Sequence, residues 1–169
     1  MYKTSKIIKE RTKPNDVFIT PLSLVENHIN SIKHLVNHDD CILDPFYGTG
    51  NYYNTLKKLF DTIDWTEITE NKDFFEYEKK TDVIISNPPY SMIDKVFQKS
   101  IELKPRVISY LIAIHNLTTR RIEIMNNNGY YLYSCKLVKV YNWYGMSCIA
   151  TFVKGDYKNC IDYDRTVYR

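Results

Sequence analysis

The sequence has few glycines and lacks any hydrophobic run long enough to cross a bilayer. Its 169 residues include 5 glycines, and no apolar stretch approaches the roughly 20 residues that a transmembrane helix requires. Residues 1–6 also lack the apolar segment of a secretory signal. We therefore expect an intracellular protein with no membrane segment.

The cysteines lack the spacing of a metal or redox motif. No Cys-x-x-Cys pair occurs among the four cysteines, and free thiols in a reducing compartment are the simplest interpretation. His34 and His38 are four residues apart with Cys41 nearby, but no fourth ligand is evident. We therefore predict no metal site.

Charge is nearly balanced, with 23 basic and 20 acidic residues and a formal net charge of +3. This small excess does not by itself indicate a nucleic-acid-binding protein. Basic residues are nevertheless grouped within residues 3–13 and at Arg120-Arg121. These groups could hold phosphates or form solvated surface, and the sequence leaves both interpretations open.

The most informative stretch is an apolar run, residues 83–85, that leads through Ser86 into Asn-Pro-Pro-Tyr. The run predicts a strand buried on both faces. Two consecutive prolines then exclude a helix and further ladder pairing, so the backbone is rigid just beyond the carboxyl end of the strand. In open α/β sheets, ligands bind at that edge.

The rigid loop presents groups that suit a planar molecule with an amino group. Asn87 Oδ1 and the Pro88 carbonyl oxygen can each accept a hydrogen bond from one N–H group of the amine, which leaves the lone pair of its nitrogen free. The ring of Tyr90 can stack on the planar face. The sequence therefore predicts a site for an aromatic amine at this loop.

A second motif occupies residues 41–50. A short predicted strand ends in an acid, passes through a glycine turn and enters a helix predicted at residues 52–60. The glycines permit positive φ and close approach of a ligand to the backbone, and the acid can hold a cation. The motif positions are Asp44, Pro45, Phe46, Gly48 and Gly50.

Further candidate positions lie on either side of the glycine turn. Thr20 is predicted to cap a helix that begins at Pro21 and continues with apolar residues at helical spacing. Glu67 ends a second predicted strand, where the equivalent acid of dinucleotide folds binds ribose hydroxyls. Asp73 and Phe74 follow shortly afterwards.

Taken in order, these motifs resemble those of the DNA adenine-N6 methyltransferases. Asp-Pro-Phe-x-Gly-x-Gly is similar to the cofactor motif of that family, and Asn-Pro-Pro-Tyr matches its catalytic motif. The resemblance implies that the cofactor is S-adenosylmethionine and that the substrate is adenine in DNA, which must leave the base stack. It assigns cofactor binding to Thr20, Pro21, Asp44, Pro45, Phe46, Gly48, Gly50, Glu67, Asp73 and Phe74, and catalysis to Asn87, Pro88, Pro89 and Tyr90.

The resemblance also implies individual roles. Asp44 would face the amino group of the cofactor's methionine part, and Glu67 would bind the ribose hydroxyls. Asp73 would accept a hydrogen bond from the amino group of the cofactor's adenine, and Phe74 would pack on that ring.

The implied fold is an α/β, Rossmann-like methyltransferase with helices on both faces of a mostly parallel, seven-stranded sheet. A C-terminal antiparallel hairpin is predicted from residues 130–140 and 146–153. The aromatic residues Tyr141, Trp143 and Tyr144 lie at its tip, where they could stack on bases or simply pack the hairpin end.

We predict a basic N-terminal tail at residues 1–15, the methyltransferase domain at 16–155 and a C-terminal tail at 156–169. No stretch is long enough for the target-recognition domain of sequence-specific members of the family. Specificity would then be weak, or would come from short loops, a second copy in a homodimer or a partner subunit. The abundance of Asn, Lys, Ile and Tyr suggests an AT-rich genome, such as that of a phage, virus or mobile element.

Alternatives to this function stay open. The same pocket would serve adenine in RNA. Enzymes that methylate the side-chain amide of glutamine share the Asn-Pro-Pro-Tyr loop, but they usually lack Asp-Pro-Phe and carry a separate helical domain. An inactive nucleic-acid-binding partner subunit is a further alternative, against which the intact Asp44 and Asn87 count.

The strand predicted at residues 107–114 ends in His115-Asn116. This position is a fitting place for a substrate contact because it lies at the carboxyl end of a strand. The two residues match no motif of the family, so a simple turn is the favoured interpretation.

Overall fold

The computed structural model of the protein describes residues 18–139 and 146–164. Within these ranges the chain forms a sheet of six strands flanked by helices. The strands are β1 (Ile42–Asp44), β2 (Ile63–Trp65), β3 (Val83–Ser86), β4 (Val107–Ala113), β5 (Tyr130–Val138) and β6 (Ser147–Lys154). The helices are α1 (Leu22–Ile32), α2 (Asn51–Leu56), α3 (Ile93–Leu103) and α4 (Thr119–Asn127). The predicted aromatic tip (Tyr141, Trp143, Tyr144) and the basic residues 3–13 lie outside the described ranges.

The sheet is mostly parallel and ends in an antiparallel hairpin. Its strand order is β2-β1-β3-β4-β6-β5. β1 pairs in parallel with β2 and β3, and β3 pairs in parallel with β4, whereas β6 is antiparallel to β4 and β5. The predicted α/β class and C-terminal hairpin are confirmed, and the parallel strands bring their carboxyl ends to one edge of the sheet.

The predicted number of seven strands is wrong for the described part of the chain, where β2 is an edge strand. Two short 3₁₀ turns, Ile68–Glu70 and Phe74–Glu76, occupy the connection between β2 and β3. The side chains of Glu67 and Asp73 accept hydrogen bonds from the backbone amides that begin these turns. Such local side-chain bonds compete with ladder pairing, which explains why no further strand forms there.

Alternating side chains of β3 divide the hydrophobic core into two layers. Ile84 belongs to a layer shared with residues of α3 and α4, whereas Val83 and Ile85 belong to a layer shared with α1 and α2. Successive side chains of a strand point to opposite faces, so helices cover both faces as predicted. The loop that follows β3 therefore emerges from the middle of the sheet edge.

Two helix boundaries differ from the predictions. Pro21, and not Thr20, is the N-cap of α1, and no side chain caps that helix. The reason is that the Thr20 hydroxyl instead accepts a hydrogen bond from Asn87. Helix α2 ends at Leu56, and irregular turns continue to Phe60, the residue at which the helix was predicted to end.

All four cysteines lie in the described ranges and are free thiols, with Cys148 buried and Cys160 exposed. Among the described residues, no three His, Cys, Asp or Glu side chains are grouped to hold a metal ion. No described helix combines the length and apolar character needed to traverse a membrane.

A buried polar chain connects α1, α2 and the sheet. His28 is fully buried, and its ring nitrogens lie 2.8 Å from Tyr52 Oη and 2.8 Å from Ser109 Oγ. Ser109 Oγ in turn lies 2.8 Å from Thr151 Oγ1 on β6. Burial, with a smaller contribution from Lys136, lowers the pKa of His28 to about 3, so the ring stays neutral in the folded protein.

We predict that His28 makes the fold sensitive to acid. The unfolded chain takes up the proton near pH 6.5 whereas the folded state resists it down to about pH 3. The contribution of His28 should therefore be complete above pH 6.5 and fall by about 1.4 kcal/mol per pH unit below it. Urea unfolding of the wild type and His28→Gln across this range would show the difference between the two proteins shrinking in acid. A pH-independent difference would contradict the prediction.

Candidate active site

The carboxyl ends of β1 and β3 meet through a buried hydrogen bond. β1 and β3 are parallel neighbours, and Asp44 and Ser86 are the last residues of these strands. The Ser86 hydroxyl donates to Asp44 Oδ1 over 2.7 Å, and both side chains are fully buried. Ser86 had no assigned role in the sequence analysis, although its place directly before Asn87 on a parallel strand is the signal for this contact.

Asp44 is a buried acid with one unused oxygen. Asp44 Oδ1 accepts from Ser86 and, at 3.4 Å, from the Phe46 amide, whereas Oδ2 is buried and has no hydrogen-bond partner among the described residues. Burial raises the pKa of Asp44 to about 7, against the opposing effect of these hydrogen bonds. The carboxyl can therefore hold a cation, or a proton near neutral pH.

The glycine turn after β1 has the backbone conformation that its sequence predicts. Gly48 and Gly50 have φ values of 53° and 79°. A Cβ at Gly50 would lie 2.6 Å from the ring of Tyr47, so a side chain there would clash as well as strain the backbone. The Gly48 amide donates to Glu67 Oε2 over 2.9 Å. This bond holds Glu67, the residue predicted to bind the ribose hydroxyls, beside the turn.

Thr20 brings the predicted catalytic loop and the start of α2 together. Asn87 Nδ2 donates to Thr20 Oγ1 over 3.1 Å, and Asn51 Nδ2 donates to the Thr20 carbonyl oxygen over 2.8 Å. Asn87 Oδ1 is buried and has no partner among the described residues. The loop therefore offers a hydrogen-bond acceptor that the folded protein does not use.

The prolines and the tyrosine of the loop form a rigid connection between β3 and α3. Pro88 is buried, and Pro89 is extended and caps the 3₁₀ turn Tyr90–Met92, which leads directly into the helix. Tyr90 is half-buried against the core layer that contains Ile84. Its ring therefore borders the loop and the core at once.

The remaining candidate positions are spread along the same side of the sheet edge. Asp73 lines a cleft of about 550 Å³ beside the end of β2, together with Trp65, Thr66 and Lys72. Phe74 does not line this cleft; it is 3% exposed and packs edge-to-face on Phe46 at 5.3 Å between ring centroids.

The two prolines of the predicted cofactor set accept hydrogen bonds through their backbone carbonyl oxygens. The Pro45 carbonyl oxygen accepts from the Thr66 hydroxyl over 2.7 Å, which ties the glycine turn to the end of β2. Pro21 is exposed, and its carbonyl oxygen accepts from the first turn of α1.

The sheet order and the flanking helices are those of the Rossmann-like methyltransferase fold. Several solved structures with this fold are similar to the chain. No protein-family model matches the sequence, and no curated protein matches it significantly.

One similar structure is the magnesium protoporphyrin IX methyltransferase of Synechocystis PCC 6803 with bound SAM, at a TM-score of 0.66 and 13% identity over 79% of each chain. A candidate RNA methyltransferase from Pyrococcus horikoshii has a TM-score of 0.66 and 16% identity over 85% of this chain and 90% of its own. The E. cuniculi Mtq2–Trm112 complex, which methylates the eRF1 translation termination factor, gives a TM-score of 0.63 and 14% identity over 83% of this chain and 100% of the matched one.

We predict that Asp44 lowers stability as the pH rises. Its carboxyl is neutral in both states below pH 3.8, whereas up to about pH 7 only the unfolded chain ionises. The cost to folding should therefore grow by about 1.4 kcal/mol per pH unit over this range. Asp44→Asn keeps an oxygen for Ser86 and avoids the cost, so it should be more stable than the wild type at about pH 8 and similar at about pH 4. Urea unfolding measures this gain, and a gain independent of pH would contradict the assignment.

Proposed function

We propose that this protein transfers a methyl group from S-adenosylmethionine to the N6 amino group of adenine in DNA. The observation that carries the proposal is the unused acceptor Asn87 Oδ1, which is buried in a rigid loop at the edge of the sheet. An unsatisfied buried acceptor costs about 1–3 kcal/mol, and an amino group that enters the site would recover that cost.

The residues at the end of β1 fit S-adenosylmethionine. Asp44 Oδ2 is a buried acceptor without a partner among the described residues, which suits the cationic amino group of the cofactor's methionine part. Gly48 and Gly50 leave the adjoining backbone open to close approach. Glu67 is held beside this turn by the Gly48 amide, in the position where an acid binds ribose hydroxyls in related dinucleotide folds.

The loop would activate the substrate amine by orienting it. The lone pair of an exocyclic amine is delocalised into the ring, which makes the nitrogen a poor nucleophile. Asn87 Oδ1 and the Pro88 carbonyl oxygen each accept a hydrogen bond from one N–H group of the amine, which orients the lone pair toward the methyl donor. Tyr90 stacks on the base. S-adenosylmethionine, when bound, would supply the methyl group from its sulfonium sulfur to the amine nitrogen. Asn87 Oδ1 and the Pro88 carbonyl oxygen would hold that nitrogen in place while it gives up one proton to water.

This mechanism depends on the relative positions of the amine and the methyl donor and needs no strong general base. Holding two reactants in line accounts for a large part of the rate enhancement of such enzymes. Asp44 would contribute to the binding of the cofactor and Asn87 to the orientation of the substrate, so cofactor binding and methyl transfer are measured separately in each variant.

The choice of adenine in DNA depends on sequence motifs, since the fold itself serves several substrates. The similar structures include a porphyrin methyltransferase, a candidate RNA methyltransferase and a complex that methylates a translation factor. Asp44-Pro45-Phe46 together with Asn87-Pro88-Pro89-Tyr90 favours the DNA adenine enzymes. The Mtq2–Trm112 complex is consistent with a partner subunit for this chain.

We predict that Asn87→Ala loses turnover by at least about 100-fold because the amine is no longer oriented. The cofactor should still bind, since Asp44 is unchanged. Methyl transfer from labelled S-adenosylmethionine to duplex DNA, single-stranded DNA and RNA, followed by nucleoside mass spectrometry, measures the loss. Asn126→Ala is the matched control, because Asn126 Oδ1 is likewise buried with no partner in the described part of the chain but lies on α4 near β5.

The arms of this experiment separate the alternatives. N6-methyladenine in DNA that disappears in Asn87→Ala supports the proposal. Label in RNA alone would keep the chemistry and change the nucleic acid. Cofactor binding without product in any nucleic acid would overturn the proposed substrate in favour of a protein.

We predict the converse result for Asp44→Ala. Removal of the carboxylate takes away the charged partner of the cofactor's amino group, so calorimetry should detect no S-adenosylmethionine binding at concentrations that saturate the wild type. Asn87→Ala is the control and should bind the cofactor normally. Equal loss of binding in both variants would contradict the separate roles.

A further inference from the structure

A third unpartnered polar atom lies at the same edge of the sheet. The 3₁₀ turn Ile114–Asn116 follows β4 directly, and Asn116 is 7% exposed. Asn116 Nδ2 is buried and has no hydrogen-bond partner among the described residues. A buried N–H donor without an acceptor is costly, so it requires an explanation.

Arg121 fixes which end of the Asn116 amide is free. Arg121 Nη1 donates to the Asn116 carbonyl oxygen over 2.7 Å and to Asn116 Oδ1 over 3.3 Å. A guanidinium group can only donate, so the atom that it contacts is the amide oxygen and the unpartnered atom is the nitrogen. Asn116 therefore presents a donor.

The same arginine ties Asn116 to the catalytic loop. Arg121 Nε donates to Asp94 Oδ1 over 2.7 Å. Asp94 lies in the first turn of α3, the helix that the loop enters through Tyr90–Met92. Ile114 and Leu117, on either side of Asn116, pack against the same core layer as Tyr90.

The sheet brings the segments that carry these atoms to the same edge. β1, β3 and β4 are consecutive parallel neighbours. At or just beyond its carboxyl end, each of them carries one buried atom that has no hydrogen-bond partner among the described residues, namely Asp44 Oδ2, Asn87 Oδ1 and Asn116 Nδ2. The first two are acceptors that suit the amino groups of the cofactor and the substrate, and the third is the donor that an acceptor on the substrate would satisfy.

We propose that Asn116 Nδ2 donates a hydrogen bond to a ring nitrogen of the target adenine, N1 or N7. These nitrogens flank the N6 amino group, and both are acceptors. The inference rests on the proposed function and adds a hydrogen bond that recognises the adenine ring, beside those that bind the amino group. Arg121 is then a positioning residue that holds the amide, and its partner Asp94 anchors it.

Two substitutions separate a substrate contact from a structural role. Asn116→Asp keeps an oxygen for Arg121 and replaces the donor with an acceptor, whereas Asn116→Ala removes both. Asn126→Asp is the matched control. Oligonucleotides that carry adenine, 1-deazaadenine or 7-deazaadenine at the methylated position remove one ring acceptor at a time.

We predict that kcat/KM for adenine falls at least about tenfold in Asn116→Asp and Asn116→Ala, the effect of about one good hydrogen bond. S-adenosylmethionine binding should be unchanged. In the wild type, kcat/KM should fall about tenfold more for one deaza analogue than for the other. This extra loss should vanish in Asn116→Ala, because that variant already lacks the contact. The analogue affected identifies N1 or N7.

The outcomes distinguish this inference from the proposed function. Wild type that makes no N6-methyladenine overturns both. Normal methylation by Asn116→Asp, or analogue losses that are equal in the wild type and Asn116→Ala, overturns the contact at Asn116 and leaves the proposed function standing.

Discussion

The parallel pairing of β1 with β3, closed at its end by the Ser86–Asp44 hydrogen bond, is the constraint on which the site depends. It places the acid of the glycine turn and the start of the Asn-Pro-Pro-Tyr loop side by side at the middle of the sheet edge. Both strands are buried on both faces, so neither end can shift without disturbing the core. The loop geometry is thus set by the sheet before any ligand binds.

Two buried titratable groups make opposite contributions to the stability of this framework. Burial lowers the pKa of His28 and raises the pKa of Asp44. Low pH therefore removes the stabilising contribution of His28, whereas high pH adds the energetic cost of ionising the buried Asp44 carboxyl. The contacts differ in kind as well. Both ring nitrogens of His28 have partners, which is typical of a structural polar bridge, whereas one oxygen of Asp44 has no hydrogen-bond partner within residues 18–139 and 146–164. An incompletely satisfied buried group is more typical of a functional site than of a core.

The sequence predicted the class of fold and the order of its parts well. The residue run of β3 has the apolar pattern of a buried strand and the C-terminal hairpin alternates in the manner of strands, and these strands formed close to where the patterns indicated. The count of seven strands and the cap at Thr20 were wrong because both depend on competition for hydrogen bonds. Glu67 and Asp73 bind nearby amides, and Thr20 binds a side chain 67 positions away. The roles of the candidate residues toward cofactor and substrate stay predictions.

What the sequence by itself determined is local: the rigid proline loop, the glycine turn with its positive φ values, and the continuous apolar run that buries β3 on both faces. These follow from the covalent geometry of single residues and from short periodic patterns. Only the tertiary structure decided which polar atoms meet and which are left over. Asn116 shows this most clearly, because its free Nδ2 follows from contacts with Arg121 and, through it, with Asp94 on another helix. Such contacts join segments that no local pattern relates, and they exist only once the sheet has aligned the ends of its strands.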